Sequence, residues 1–470
     1  MTSFAGRRAL VVGLGVSGFA TARALVGLEA KVRVTEAGDT AVLRERADAL
    51  TRAGAEVELG GHDLDLLDAD LAVISPGIPP SSPIVDALRR QGVEIVSDIE
   101  LAYRVASCDF IAVTGTNGKT TTTSLLASII EAAGMSGIAA GNIGLPVLDA
   151  IFSVPEDGVI ALEVSSFQLA AIEHFRPTVG VLLNIAEDHT DWHGTVDAYA
   201  AAKARIVVNQ TSDDAFVPNL EDERAMAIAT STQARVVPFS AVRLPEGSGI
   251  GIDDGRVVYN GTTVMGVDEL PVPGLPGIED CLAAAAAALE YGVDIRSVVR
   301  GIKGFRPLAH RLQLVAEVGG VRFIDDSKAT NPHATLSAVD GLDDVVLIAG
   351  GRSKGMDLGA LRNAVPPVRH VVALGEASDE IARVFEGLVP VTQVESMSDA
   401  VRAGTVAADG RGSVLLSPAC ASLDMYESYA ARGEDFARAV AELLEAKLVD
   451  DIGRIQEIKG EREEGDRGDS

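Results

Sequence analysis

The sequence predicts an α/β protein of three units, each with a mainly parallel sheet flanked by helices. Three observations point there. Apolar runs of four to six residues alternate with amphipathic stretches throughout, the βα pattern of parallel sheets. The 48 glycines and the many Ala and Val, beside only 4% aromatic residues, suit tight strand-to-helix turns. At 470 residues the chain is too long for one core, and about 150 residues per domain gives about three.

The elements follow in order. Residues 9–12, 31–34, 71–74 and 93–96 read as strands of a first, Rossmann-like unit spanning 1–106. Strands at 110–113, 159–162 and 179–183, a β-rich stretch at 214–265 and an alanine-rich helix at 281–290 make a central P-loop ATPase-like unit, 107–308. Strands at 321–324, 345–349, 370–374 and 413–416, with a helix near 433–447, make a second Rossmann-like unit, 309–449. Residues 450–470 are charged and glycine-rich with little to bury, which predicts a disordered tail. There is no short-period repeat.

Bulk properties exclude several classes. A formal charge of −28 opposes binding to nucleic acid, while leaving room for a small anion held by a few N–H groups and a lysine. The three cysteines, Cys108, Cys281 and Cys420, are isolated, which argues against a disulfide framework or structural zinc. Met1 leads into a strand pattern, so no signal peptide is expected. No apolar run approaches the ~20 residues that span a bilayer, and the expected location is the cytoplasm without membrane insertion.

The most specific motif is Gly115-Thr116-Asn117-Gly118-Lys119-Thr120, followed by Thr121 and Thr122, between a strand and a helix. Glycines let backbone N–H groups approach phosphate oxygens, and the helix N-terminus adds partial positive charge. Lys119 suits the β/γ-phosphates and Thr120 a magnesium ion. A full Walker loop needs Gly or Ala where Val113 stands, so this loop is a shortened variant. A second loop, Gly13-Leu14-Gly15-Val16-Ser17-Gly18, follows the first strand, with Glu36 at the end of the second. It fits a dinucleotide, a nucleotide diphosphate on another ligand, or plain close packing. Ser75-Pro76-Gly77 marks another turn on the same sheet edge.

Glu163 ends a strand before Val164-Ser165-Ser166, where a carboxylate suits a metal near the γ-phosphate, and Asn184 to His189 end another strand with an imidazole and two acids. Lys203 lies on a predicted helix, 197–208, beside Ala201, Ala202 and Ala204, so partial burial and a lowered pKa are possible. In the third unit Asp325 to Pro332, Gly350 to Lys354 and Ser417 to Ser422 all follow strands. They gather Lys, Arg, Ser and Thr around one anionic pocket.

Together these motifs resemble the Mur ligase family over residues 5–448: GTNGKTTT at 115–122, GNIG at 141–144, LEVSSFQL at 162–169, EDH at 187–189, DDSKATNP at 325–332 and LLSPACASLD at 415–424. The resemblance implies an ATP-dependent amide ligase of peptidoglycan precursor synthesis. The implied enzyme would add D-glutamate to UDP-N-acetylmuramoyl-L-alanine through an acyl phosphate and would work as a monomer on small molecules only. It implies that Gly13, Gly15, Ser17, Thr35, Glu36 and Ser75 hold the UDP end, and that Asn142 and Ser165 touch the muramoyl-alanine part. Gly115 to Thr121, with Arg311 and Asp326, would bind ATP. Two Mg²⁺ ions would be held by Thr120, Glu163, His189 and a carbamylated Lys203. His310 and Lys328 would face ATP or the transferring phosphate, and Thr330, Lys354, Ser422 and Tyr429 would bind D-glutamate. A reactive acyl phosphate needs shielding from water, so domain closure is expected.

One departure stands out. Glu279, Asp280 and Ala283 occupy positions where the family pattern carries a His-Asn pair and a later Asn that the resemblance implies help hold the nucleotide, so the adenine contacts are not carried over. Three other readings compete. A sibling ligase or folylpolyglutamate synthesis would differ in the amino acid taken. A nicotinamide-dependent dehydrogenase would leave the Gly115 loop unexplained. A degenerate nucleotide-binding regulator would lack hydrolysis.

Overall fold

The computed structural model describes residues 3–64, 67–272, 274–306, 308–340 and 342–445. The expected tail at 450–470 lies outside them. The chain divides into two compact units, Met1–Arg306 and Pro307–Ser470. Among the described residues no helix is long and apolar enough to cross a membrane.

The first unit begins with a five-stranded parallel sheet. Its strands are β1 (Arg8–Val12), β2 (Lys31–Glu36), β3 (Glu56–Leu59), β4 (Leu71–Ile74) and β5 (Glu94–Val96), in the order β3-β2-β1-β4-β5. The order reverses between β1 and β4, so the loops after Val12 and Ile74 flank the crevice where such sheets take ligands. The glycine loop is explained partly by packing. A Cβ on Gly18 would lie 2.0 Å from the Gly13 carbonyl oxygen, and one on Gly13 would lie 2.6 Å from Ser75 Oγ. Nothing crowds Gly15, which caps the helix Val16–Gly27.

A second parallel sheet follows in the same unit. It comprises β6 (Asp109–Thr114), β7 (Gly137–Gly141), β8 (Val159–Glu163), β9 (Val179–Leu182), β10 (Ala215–Pro218) and β11 (Arg235–Val236), ordered β11-β10-β9-β6-β8-β7. Strands β8 and β9 are fully buried and β6 is buried after Asp109, as their unbroken apolar runs require. The β-rich stretch resolves into an antiparallel meander of β12 (Ile250–Asp253), β13 (Arg256–Tyr259) and β14 (Thr262–Gly266). The alanine-rich helix, Gly274–Glu290, starts earlier than its apolar run suggests. Small side chains matter in this layer. The helices Lys119–Ala132 and Ile295–Gly304 cross so closely that a Cβ on Gly301 would lie 2.4 Å from Ile129 Cα.

The second unit holds one six-stranded sheet of β15 (Gln313–Val318), β16 (Val321–Asp325), β17 (Val345–Gly350), β18 (Val368–Leu374), β19 (Val391–Gln393) and β20 (Ser413–Ala419). Their order is β15-β16-β20-β17-β18-β19. Among the described strands of this sheet only the β15–β16 hairpin is antiparallel. The ends of β16, β20 and β17 are neighbours, which brings the three polar motifs of this unit together. The described part of the last helix covers residues 429–445.

Candidate active site

Strand β6 runs through Val113 to Thr114, and the chain then makes the short loop Gly115 to Gly118 into the helix Lys119–Ala132. Gly118 has φ +83 and caps that helix, a conformation that favours glycine. The helix carries no acidic residue in its own first turn. Asn184, at the end of β9, braces the loop: its Oδ1 accepts from the N–H groups of Asn117 (2.8 Å) and Thr116 (3.1 Å). Thr116 Oγ1 in turn accepts from Ala186 N–H and the Tyr199 hydroxyl.

Two lysines meet at one carbonyl oxygen of this loop. Lys119 Nζ donates to Gly115 O at 2.9 Å and to Thr116 O at 2.8 Å. Lys203 Nζ donates to the same Gly115 O at 2.6 Å. Lys203 sits on the helix Val196–Ala204, capped by the Thr195 hydroxyl, and is only 1% exposed. It lies over the Tyr199 ring at 4.6 Å. Burial, and then the charge of Lys119, hold its amine well below the usual lysine range. The partial burial that its alanine neighbours suggest is therefore complete.

Glu163 ends β8 and is 2% exposed. Its Oε1 accepts from Asn142 Nδ2 at 3.1 Å, while Oε2 is buried with no hydrogen-bond partner among the described residues. Ser165 forms a capping box with Gln168, and Gln168 Nε2 donates to the buried Asp98 at 2.9 Å. His189 takes φ +52 and packs edge-on to Phe167 at 4.8 Å, its N–H donating to Asp188. Thr120 and Thr121 lie in the first turn after the loop. Among the described residues no three His, Cys, Asp or Glu are grouped to hold a metal unaided.

Asp280 reaches this loop from the alanine-rich helix. Its Oδ1 accepts from Thr122 at 3.1 Å and would lie 2.2 Å from a Cβ on Gly118. Glu279 accepts from Asn219 at 3.3 Å, and burial raises its carboxyl. Of the two atypical acids, Asp280 thus faces the phosphate-type loop, and Glu279 turns to Asn219.

At the first sheet the predicted residues flank their crevice, and Glu36 does more than sequence assigns it. Its two oxygens accept from Leu14 N–H (2.6 Å) and Gly38 N–H (2.8 Å), which fixes the glycine loop. Thr35 is buried, bonded to Gly61 O and His62. Ser17 is half-buried on the first turn of the helix after the loop. Ser75 lines one cleft with Pro76, Ile95, Phe167, Gln168 and Trp192, so this sheet edge and the Ser165 segment open on one space.

In the second unit His310, at φ +62, bonds Asp325 at 2.6 Å through Nδ1. Asp326 is buried and accepts from Ser417 Oγ at 2.9 Å; burial pushes its carboxyl up to about 7. Lys328 Nζ sits 3.9 Å above the Tyr429 ring. Arg311, Thr330 and Lys354 are half-buried, and Ser422 is buried. Sequence reasoning passed over Asp98, Tyr199 and Arg432, which look like ordinary helix residues when only spacing is read. It quoted Asn184 and Asp280 but gave them no bracing role.

Comparison with known proteins matches three family models: "Mur ligase MurD-like, N-terminal domain" over residues 7–97, "Mur ligase middle domain" over 113–288 and "Mur ligase, glutamate ligase domain" over 310–420. The chain is 41% identical over 445 residues to the UDP-N-acetylmuramoylalanine--D-glutamate ligase of Geobacillus kaustophilus, covering 93% of this chain and 98% of that one. It is also 41% identical over 449 residues to the ligase of the same name from Frankia casuarinae, covering 93% and 94%. In fold it is similar to the UDP-N-acetylmuramate-alanine ligase of Thermotoga maritima, with TM-score 0.58, 19% identity and coverage of 94% and 100%.

Proposed function

The chain belongs to the Mur ligase family, and from that premise we propose that it joins D-glutamate to UDP-N-acetylmuramoyl-L-alanine at the expense of ATP. The relatives named for that reaction span nearly the whole chain. The observation that carries the reading is the Gly115 loop, with Lys119 and Lys203 converging on one carbonyl oxygen.

A carboxylate is a poor electrophile, so it is first given a leaving group. A substrate carboxylate oxygen attacks the γ-phosphorus, the bond to the bridging oxygen breaks, and ADP departs. The amine of D-glutamate then attacks the acyl carbon, the C–O bond breaks, and phosphate leaves with that oxygen. Loss of a proton from nitrogen leaves the amide. Gly115 to Thr121 cradle the triphosphate, where Lys119 and the loop and helix-start N–H groups stabilise charge developing on the γ-phosphoryl group.

Magnesium fits the residues present. The unsatisfied Oε2 of Glu163 offers a buried acceptor, and Thr120 stands in the first turn after the loop. His189 and a carbamylated Lys203 would make the second set, with substrate phosphates supplying further ligands, since among the described residues no three His, Cys, Asp or Glu are grouped to hold a metal unaided. When bound, Mg²⁺ screens the repulsion between the two anionic oxygens. Lys203 is suited to carbamylation. Its depressed pKa supplies the neutral amine, which takes up CO₂ with loss of a proton. The product is an anion that turns the like-charge pair with Lys119 into an attractive one.

Gly13, Gly15, Ser17, Thr35, Glu36 and Ser75 hold the uridine diphosphate end, and Asn142 and Ser165 meet the muramoyl-alanine part. In the second unit Thr330, Lys354, Ser422 and Tyr429 take D-glutamate, while His310, Arg311, Asp326 and Lys328 serve the nucleotide and phosphate. The working divisions are residues 1–106, 107–308 and 309–449, in a monomer acting in the cytoplasm. The test is phosphate release with each component omitted in turn. Release should need ATP, Mg²⁺, UDP-N-acetylmuramoyl-L-alanine and D-glutamate together. Release with another amino acid but none with D-glutamate would overturn the assignment.

A further inference from the structure

Asp98 opens the helix Asp98–Val105 and is buried, 4% exposed. One of its oxygens, Oδ1, accepts from Gln168 Nε2 and from Ile99 N–H, both at 2.9 Å. Burial raises its carboxyl, and those bonds pull the other way. Asp98 also lines the narrow space under two loops of the first sheet, beside Ser17, Gly18, Ser75 and Pro76. It stands between the residues assigned to the UDP end and those assigned to the muramoyl-alanine part.

A glutamine amide has a donor end and an acceptor end, and its partners decide which faces where. Both ends of Gln168 are fixed. Asp98 Oδ1 already accepts from Ile99, so it faces Gln168 as an acceptor and holds the NH₂ end. The other end, Oε1, is thereby turned to Ser165, where it accepts from N–H and from Oγ, each at 3.0 Å. Gln168 N–H donates back to Ser165 Oγ at 3.2 Å. The Ser165 hydroxyl has then used its hydrogen and one lone pair, and one lone pair remains. Docking of this segment does not depend on Asp98. Ser97 N–H donates to Ala171 O at 2.9 Å, and Glu100 accepts from the N–H groups of Glu173, His174 and Phe175. What Asp98 adds is the orientation of one amide.

We propose that Asp98 is a positioning residue for the UDP-linked substrate: it orients the Gln168 amide so that Ser165 meets the substrate as a hydrogen-bond acceptor, suited to an N–H or O–H group. This rests on the reading that Ser165 touches the muramoyl-alanine part. Asp98 acts behind Gln168 and Ser165. The reversed amide would set NH₂ against the Ser165 N–H and Oε1 against a carboxylate oxygen, two mismatches at once. Without the acid the buried NH₂ end has no partner among the described residues. The amide then moves to find one and takes the Ser165 hydroxyl with it.

The test uses the full chain in phosphate release with each substrate varied separately. For Asp98→Ala the KM for UDP-N-acetylmuramoyl-L-alanine should rise about fivefold or more, with the KM values for ATP and D-glutamate within about twofold. Asp98→Asn keeps an oxygen facing the amide and should recover most of the loss. Gln168→Met should raise the same KM, and the double variant Asp98→Ala/Gln168→Met should be no worse than the worse single one, because the acid acts through the amide. A folded Asp98→Ala with a wild-type KM for the UDP-linked substrate overturns the proposal. So does an equal rise for all three substrates, or a double variant in which the two effects multiply. If Asp98→Ala fails to fold, Asp98→Ser is judged by the same criteria; if that fails too, Asp98 serves the fold and the proposal is overturned. A wild-type enzyme that activates a different UDP-linked acid overturns the substrate reading alone, and the same comparison is then made with that acid. One that needs no UDP-linked substrate overturns both.

Discussion

Replacing Lys203 should separate stability from activity in opposite directions. In Lys203→Met the chain loses the bond to Gly115 O at 2.6 Å and the longer one to Thr114 Oγ1 at 3.4 Å. At ~0.5–1.5 kcal/mol net for each, that is about 1–3 kcal/mol of lost stability. Against it stands relief from burying an amine only 1% exposed beside the charge of Lys119, which opposes those losses. The terms nearly cancel or favour the variant, so its melting temperature should stay within a few degrees of wild type or rise. Phosphate release should fall at least ~10³-fold, roughly 4 kcal/mol of transition-state stabilisation. Calorimetry and a coupled phosphate assay on one preparation give both quantities. In Lys203→Ala a short carboxylate added to the assay should restore part of the rate. Wild-type turnover in either variant would remove Lys203 from the chemistry. A collapse in melting temperature that accounts for the lost rate would show a purely structural lysine.

Further outcomes are expected. Glu163→Gln keeps the acceptor for Asn142 but loses the charge at Oε2; folding should persist while the Mg²⁺ concentration for half-maximal rate rises about tenfold or more, as read from a magnesium titration. Gly118→Ala places a methyl 2.2 Å from Asp280 Oδ1 at φ +83, so the KM for ATP should rise sharply, and Asp280→Ala in the same chain should relieve part of it. Asp326 has a folded pKa raised to about 7 from 3.8, so the folded state binds the extra proton between those values. Stability relative to Asp326→Asn should therefore fall as pH rises from 4 to 7, by on the order of 4 kcal/mol. Denaturant midpoints across that range check the sign.

Much of this architecture was legible because buried parallel strands write themselves as unbroken apolar runs. Strands β1, β4, β6, β8, β9, β17 and β20 fall close to where those runs lie. The missed strands were of a different kind: β3, β15 and β19 carry polar, half-exposed residues at sheet edges, and β7 (Gly137–Gly141) has too little side chain to show a pattern. Site residues were legible where the backbone demands a residue type, as at Gly118, or where a motif follows a strand, as at Glu163. Contacts across the chain were not. Asp280 meets Thr122 across 158 positions, and Arg432 meets Ser327 across 105; neither distance leaves a periodic trace. Glu36 shows the converse. Its spacing suggests a ribose acid, yet its oxygens hold two backbone N–H groups of the turns beside it.

The account rests on activation of a carboxylate by phosphoryl transfer, and one isotope experiment addresses it directly. The acid substrate is prepared with ¹⁸O in its terminal carboxylate and turned over to amide with unlabelled ATP in ordinary water. Phosphate should be released carrying one labelled oxygen, the atom that bridged carbon and phosphorus. Phosphate free of label, with amide formed at the normal rate, would contradict the account.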